Sequence, residues 1–521
     1  MTPAKKIPPV QSTSQRLATI LKSARDIMRK DKGLNGDLDR LPMLTWLMFL
    51  KFLDDSERMA EEEAELAGKH FDPLIDSPYR WRDWAGSASS ITGPELLSFI
   101  NQDEAVLPGG SRGTGLLAHL RELQSNSGEG REEVVANVFR GVSNRMESGY
   151  LLRDVLGKLD DVHFDSSDEI HTLSHIYESM LREMRDAAGD SGEFYTPRPV
   201  VQFMVKVVDP KLGETILDPA CGTGGFLVEA FQHLEPLCST VEERRILQTS
   251  TLFGQEAKPM PYMLVQMNLL LHGLEYPSLK YGNSLTSKIT EIGDSERVDL
   301  ILTNPPFGGE EEHAVKNNFP ADMQTSETAL LFLQLIMRKV RRPVGGAAPG
   351  RAAVVVPNGL LFADGVAARI KEELVTNFNL HTIVRLPNGV FSPYTPIPTN
   401  ILFFDRSGPT EGIWYYELPL PEGRKNFTKT KPLVFEDFKD VIDWFHPRTE
   451  RKAGPQAWYV PIEEILEHQD GRVVQCNLDQ RNPNAGVVLA TRPPEELIVE
   501  ALEMEAEIQA MLEKLRSDLE V

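Results

Sequence analysis

Residues Glu214–Leu234 read ETILDPACGTGGFLVEAFQHL, and the order of residue types in that stretch sets the fold. Thr215–Leu217 is a short apolar strand, Asp218 ends it, Gly222, Gly224 and Gly225 make a turn, and Phe226–Leu234 continues as a helix. In that context the free backbone amides at the helix start face a ligand, and the glycines let it come close. The spacing is not GxGxxG, and the lysine-serine ending of a P-loop is missing. Pyrophosphate dinucleotides and ATP hydrolysis therefore give way to another adenosine ligand. The alternative is a strand-to-helix turn that uses glycine only for close packing.

Working outward, TLFGQEA is a second strand ending near Glu256. A carboxylate at that position can accept hydrogen bonds from ribose hydroxyls, though a strand-end carboxylate facing only water is the plainer reading. The helix Met260–His272 is apolar on most faces and is expected to be buried, and Leu279, Tyr281 and Gly282 then lead to a third strand end at Asn283. Next comes Val298–Gly309, VDLILTNPPFGG. A strand, Leu300–Leu302, stops at Thr303 and delivers Asn304, Pro305, Pro306 and Phe307. Two consecutive prolines fix the backbone and withhold two amide donors, which leaves nearby carbonyls free to accept. An amide, a free carbonyl and an aromatic face together suit a planar amino group, held by Asn304 and the Pro305 carbonyl and stacked on Phe307. A strand followed by a merely proline-stiffened loop is the competing reading. Upstream, GDSGEFYTPRPVVQFMVKVV places Glu193, Phe194, Tyr195 and Thr196 just before a helix opened by Pro199. Such a loop can wrap a small ligand or serve only as a helix entry.

Three further strands, Ala352–Val356, Leu380–Leu386 and Asn400–Asp405, alternate in part with helices such as Val366–Phe378. This pattern predicts an open, mostly parallel sheet covered on both faces. The loop Pro387–Thr399, with Phe391 and Tyr394, is a candidate lid, and Trp414–Trp458 is mixed and turn-rich. Before the sheet, apolar residues recur at helical spacing over Gln15–Lys30 and Leu41–Asp55, with further helices at Glu132–Phe139 and Glu169–Arg185. Phe71–Asn126 reads as loop-rich, with Trp81 and Trp84 as core or interface anchors. At the far end Leu497, Ala501, Met504, Ile508, Met511 and Leu515 form an a/d seam on an acidic helix. Such a stripe seeks a partner helix or folds back on its own chain. The expected organisation is a helical domain over 1–165, an α/β domain over 166–480 and a tail over 481–521.

With 521 residues, 41% of them hydrophobic and 25% charged, the chain is globular and calls for two or three domains. Its formal net charge of −22 argues against wide, unaided contact with a nucleic-acid backbone. The one dense basic cluster, Arg338, Lys339, Arg341 and Arg342, ends a helix expected over Glu327–Val340, where cations meet the negative end of the dipole. Cys221, Cys238 and Cys476 are far apart with no CxxC pair, so neither a disulfide framework nor a metal site is expected. No apolar run reaches membrane-spanning length and the first residues lack a signal-peptide core, which places the protein in the cytoplasm.

GEFYTP, DPACGTGGF, FGQE, GNSL and TNPPF occur in that order over Gly192–Phe307. As a set they resemble the modification (HsdM) subunit of type I restriction-modification systems, an N6-adenine DNA methyltransferase family. MLTWLMFLKFLDD also resembles the helical domain of that family. The resemblance implies a class I S-adenosylmethionine-dependent methyltransferase: an α/β, Rossmann-like, mostly parallel seven-stranded sheet, with a helical N-terminal domain and a C-terminal helix. It implies that Glu193, Phe194, Tyr195 and Thr196 lie on the cofactor side, near its methionine portion. Asp218, Gly222, Thr223 and Gly224 would hold the methionyl group and backbone of S-adenosyl-L-methionine, Glu256 its ribose and Asn283 its adenine. Asn304, Pro305, Pro306 and Phe307 would grip the target adenine, flipped out of the duplex.

The donor loop precedes the NPPF segment without a large insertion, and the turn-rich stretch Asp405–Pro494 leaves little room for a domain that reads several bases in a groove. DNA and a separate specificity subunit are therefore the expected partners, the subunit docked partly through the terminal helix. By family analogy two copies of this chain serve each specificity chain, and a restriction subunit is a further partner the sequence leaves open. Methylation of a protein glutamine or of RNA, and a non-catalytic scaffold that only holds cofactor, are the competing functions.

Overall fold

The computed structural model describes residues 13–86, 91–123, 131–162, 196–309, 311–343, 348–392, 395, 397–421, 423–428 and 430–484. The helix expected at Glu169–Arg185, the residues Glu193, Phe194 and Tyr195, Tyr394 and the terminal seam lie outside them. Two of the expected helices occur as Thr13–Met28 and Asp37–Leu66. The second runs beyond the predicted Asp55 because its glutamate-rich end has high helix propensity and needs no burial; Leu66 is 90% exposed. The loop-rich stretch holds the short helices Trp81–Trp84, Gly93–Asn101 and Leu116–Arg121 and a hairpin of β1 (Glu104–Val106) and β2 (Arg112–Thr114). Each is too short to show a period in the sequence. Trp81 and Trp84 are buried, donating to Asp160 (3.0 Å) and to the Tyr79 carbonyl (3.2 Å).

The main sheet has β3 (Ile216–Asp218), β4 (Leu252–Glu256), β5 (Ser278–Tyr281), β6 (Leu300–Thr303), β7 (Arg351–Pro357), β8 (Asn379–Arg385), β9 (Thr399–Asp405), β10 (Gly412–Glu417) and β11 (Ala457–Pro461). Among the described residues it is nine-stranded, in the order β11-β10-β8-β9-β7-β6-β3-β4-β5. Pairing is parallel from β5 through β7, and β9 runs antiparallel to both β7 and β8. The strands from β5 to β8 make up the expected seven. β10 and β11 extend that edge from the stretch read as turn-rich, where aromatic and polar residues mix without a clean alternation.

Helices Arg198–Val208, Gly225–Leu234 and Lys439–Phe445 pack on one face, and Thr328–Lys339 and Val366–Asn377 on the other. Helix Pro259–Leu271 serves two cores at once. Met263, Leu264, Met267 and Leu271 pack with the N-terminal helices, while Val265 and Leu269 join the sheet. That double duty explains why the sequence is apolar on most of its faces. The basic cluster ends helix Thr328–Lys339 and lies beside the start of β6, where Val340 bridges Val298, away from the strand tips. Arg338 pairs with Glu373 (2.9 Å), Lys339 with Glu296 (3.4 Å) and Arg341 with Asp299 (3.0 Å). Among the described residues no helix is long and apolar enough to cross a membrane.

Candidate active site

Asp218 and Glu256 end β3 and β4, Asn283 follows β5 after Gly282, and Asn304 directly follows β6. These four strands are adjacent and parallel, so their C-terminal ends share one edge of the sheet. The chain steps outward from β3 to β4 and β5, then returns to place β6 on the other side of β3. Such a reversal opens a crevice above the strand ends.

The glycine turn forms the floor of that crevice. Gly222 and Gly224 take φ of 54° and 84°, where side chains other than glycine are strained. A Cβ on Gly224 would also come within 2.5 Å of Val265. Helix Pro259–Leu271 pins the turn from behind, since Asn268 donates from Nδ2 to the Thr223 carbonyl at 2.8 Å. From the front, Glu256 accepts the Gly222 amide at 3.0 Å and the Lys258 amide at 2.8 Å. Burial pushes the Glu256 carboxyl above the usual carboxylate range, against the pull of those amides.

Asp218 is 1% exposed. Its Oδ1 accepts the Thr303 hydroxyl at 2.7 Å and the Ala220 amide at 3.1 Å, tying the turn to β6. Burial raises this carboxyl to about 7; the Glu256 charge adds to the shift, and the Thr303 and Ala220 donors oppose it. Ser284 closes the other side by donating to the Pro219 carbonyl at 2.6 Å.

Pro219, Ala220, Glu256, Asn283, Pro306, Glu311 and Phe332 are among the walls of a cavity of about 290 Å³, close to the lower end of the range for small-ligand sites. Asn283 accepts the Leu285 amide at Oδ1 (2.9 Å) and donates from Nδ2 to Glu311 (3.0 Å).

Asn304 donates from Nδ2 to Thr196 Oγ1 at 3.0 Å, and its buried Oδ1 has no hydrogen-bond partner among the described residues. Phe307 is partly buried and meets Phe391 edge-on, with ring centroids 6.0 Å apart at 73°. Phe391, expected in a lid, is only 2% exposed and supports Phe307 as part of the core. The acceptor segment and the cavity share Pro306 as a wall.

The structure thus brings together Thr196, Asp218, the glycine turn with Thr223, Glu256, Asn283 and the Asn304–Phe307 segment. Sequence reasoning missed Thr303, Ser284, Asn268 and Glu311. Thr303 carried a signal, a hydroxyl at a strand end beside the motif; the other three carried none. A cavity with carboxylates at its rim, beside a buried acceptor lacking a donor, fits an adenosyl ligand placed next to a planar amine.

Comparison with known proteins accords with this geometry. The family model for N-6 DNA methylases matches residues 168–480, and that for the HsdM N-terminal domain matches 17–106. The type I restriction enzyme EcoEI methylase subunit of Escherichia coli is 44% identical over 510 residues, covering 96% of this chain and 97% of that protein. A crystal structure of a type I restriction enzyme modification subunit from Vibrio vulnificus YJ016 is 63% identical with a TM-score of 0.86, over 92% of this chain and 99% of the other. A chain from a structural study of complex assembly in a type I R-M system is 39% identical with a TM-score of 0.74, over 98% and 99% of the two chains. The chain belongs to the N-6 DNA methylases, as a modification subunit of the type I restriction-modification kind.

Proposed function

We propose that this chain performs its family's reaction, methylation of the N6 amine of adenine in DNA, with S-adenosyl-L-methionine held at the tips of β3, β4 and β5 and the target base gripped after β6. The observation that carries the residue assignment is the buried Oδ1 of Asn304, without a partner among the described residues and two positions before the cavity wall at Pro306. In this reading Glu256 meets the ribose, Asn283 lies at the base end, and Asp218, Gly222, Thr223 and Gly224 hold the methionyl portion, with Glu193, Phe194 and Tyr195 alongside, while Thr196 supports Asn304. Bound there, the cofactor supplies an electrophilic methyl on a cationic sulfur.

The protein's task is to make the adenine amine nucleophilic. Its nitrogen lone pair is delocalised into the ring. Asn304 Oδ1 and the Pro305 carbonyl each accept one N–H, which draws the hydrogens toward themselves and favours a pyramidal nitrogen. Pro305 and Pro306 hold those acceptors still, because a preorganised acceptor does not have to reorient during reaction. Phe307 stacks on the extruded base and offsets part of the unstacking cost of a few kcal/mol. The methylated amine then loses its proton readily, so no strong base is required.

Base choice and much of the DNA grip come from a separate specificity subunit, consistent with the net charge of −22. Two copies of this chain serve each specificity chain, and the protein works in the cytoplasm. The test is transfer of labelled methyl from S-adenosyl-L-methionine to DNA by this chain, with and without its specificity partner, followed by identification of the labelled base. N6-methyladenine that depends on the partner is expected; label appearing in protein or RNA with unlabelled DNA overturns the reading.

A further inference from the structure

Selecting an adenosyl group requires an acceptor for its exocyclic amine, because a 6-oxo base offers a carbonyl at the same place. Five side chains with acceptor oxygens line the cavity: Glu256, Asn283, Ser284, Thr328 and Glu311. The Ser284 and Thr328 hydroxyls give their protons to the Pro219 and Gly309 carbonyls and are neutral acceptors, weaker than a carboxylate. Both oxygens of Glu256 already accept backbone amides, and in the proposed reading this residue serves the ribose. The single oxygen of Asn283 is engaged by the Leu285 amide at 2.9 Å. Glu311 differs, because Oε2 accepts from Asn283 at 3.0 Å and Oε1 has no partner among the described residues.

From this pattern we infer that Glu311, which reaches the cavity from the loop after Phe307, is the residue that recognises the adenine amine of the cofactor, and that Asn283 is its positioning residue. The identity of residue 283 then has a physical reason. Asparagine and aspartate can both accept the Leu285 amide, but only asparagine can also donate to a neighbouring carboxylate. An aspartate at 283 would set two like charges against each other. The amide of Asn283 therefore holds the Glu311 carboxylate at the cavity wall, and a charge-assisted bond from its second oxygen to the amine adds discrimination. This rests on the cofactor assignment made above.

The test is calorimetric binding of S-adenosylhomocysteine and its 6-oxo counterpart, S-inosylhomocysteine, to the full chain. The native chain should favour the adenosyl ligand by about 10²-fold. Glu311→Ala should weaken adenosyl binding by about 10- to 100-fold and bring the ratio close to one. The double variant Asn283→Asp with Glu311→Gln exchanges donor and acceptor between the two positions while leaving an amide oxygen for the amine, and it should recover most of the ratio. An unchanged ratio in Glu311→Ala, with adenosyl binding intact, overturns the role of Glu311 alone. A native chain that binds neither ligand overturns the cofactor assignment, and this inference with it.

Discussion

On the β4 and β5 side of the crevice, both oxygens of Glu256 accept backbone amides and Asn283 uses both ends of its amide. Across β3, the Oδ1 of Asn304 is buried with nothing to accept from among the described residues. On the first side these groups are satisfied before any ligand arrives, with Glu311 Oε1 left to accept, so binding there does not require the turn to rearrange. The second carries the cost of an unsatisfied acceptor, about 1–3 kcal/mol, which only an incoming donor relieves. A group satisfied in the resting protein builds a binding site, whereas one satisfied only by the reacting amine favours the reaction itself. Asp218 stands between the two sides, bonded to Thr303 at the end of β6 and to the turn.

The largest expected effect tests that middle position. Between pH of about 4 and about 7 the unfolded Asp218 carboxyl has lost its proton while the folded one still holds it. Stability therefore falls as pH rises through this window and is not lowered further by this group above it. With 1.36 kcal/mol per pKa unit, the decline amounts to roughly 4 kcal/mol. Asp218→Asn should remove it, as read from urea unfolding at several pH values; equal slopes in the two proteins would mean that the carboxyl ionises freely where it sits.

Next, Asn304→Ala breaks the acceptor side alone. Methyl transfer should fall by about 10²- to 10³-fold, while cofactor affinity measured by calorimetry stays within about two-fold. A parallel loss of affinity would erase the distinction between the sides. Conversely, Glu256→Ala strips the acceptor from two amides of the donor side, and cofactor affinity should drop by about 10²-fold.

Thr196 gives the smallest effect and the finest division. The sequence reading places it with the cofactor, whereas its hydroxyl accepts from Asn304. Thr196→Val should lower kcat by about ten-fold and leave cofactor affinity unchanged, with Thr196→Ser restoring the rate. A change in cofactor affinity instead would return Thr196 to the donor side.

The strand, turn and helix of Glu214–Leu234 were legible because each rests on neighbours a few residues apart. The same holds for the Asn304–Phe307 segment, whose two prolines act on their own backbone. Strands β10 and β11 escaped notice because their aromatic and polar residues follow no clean period. Phe391 looked like a lid residue because nothing local shows that Phe307 lies against it.

By itself, then, the order of residues determined the class of fold, the glycine turn between strand and helix and the proline-stiffened segment after β6, since all three depend on short-range backbone geometry. Tertiary structure alone decided how their polar groups are shared. Thr303 reaches Asp218 across 85 positions, Asn304 reaches Thr196 across 108, Asn268 holds Thr223 across 45, and Asn283 holds Glu311 across 28. The physical reason is that burial removes water as the default partner. Which protein group takes its place, or whether none does, depends on what the folded sheet brings within about 3 Å.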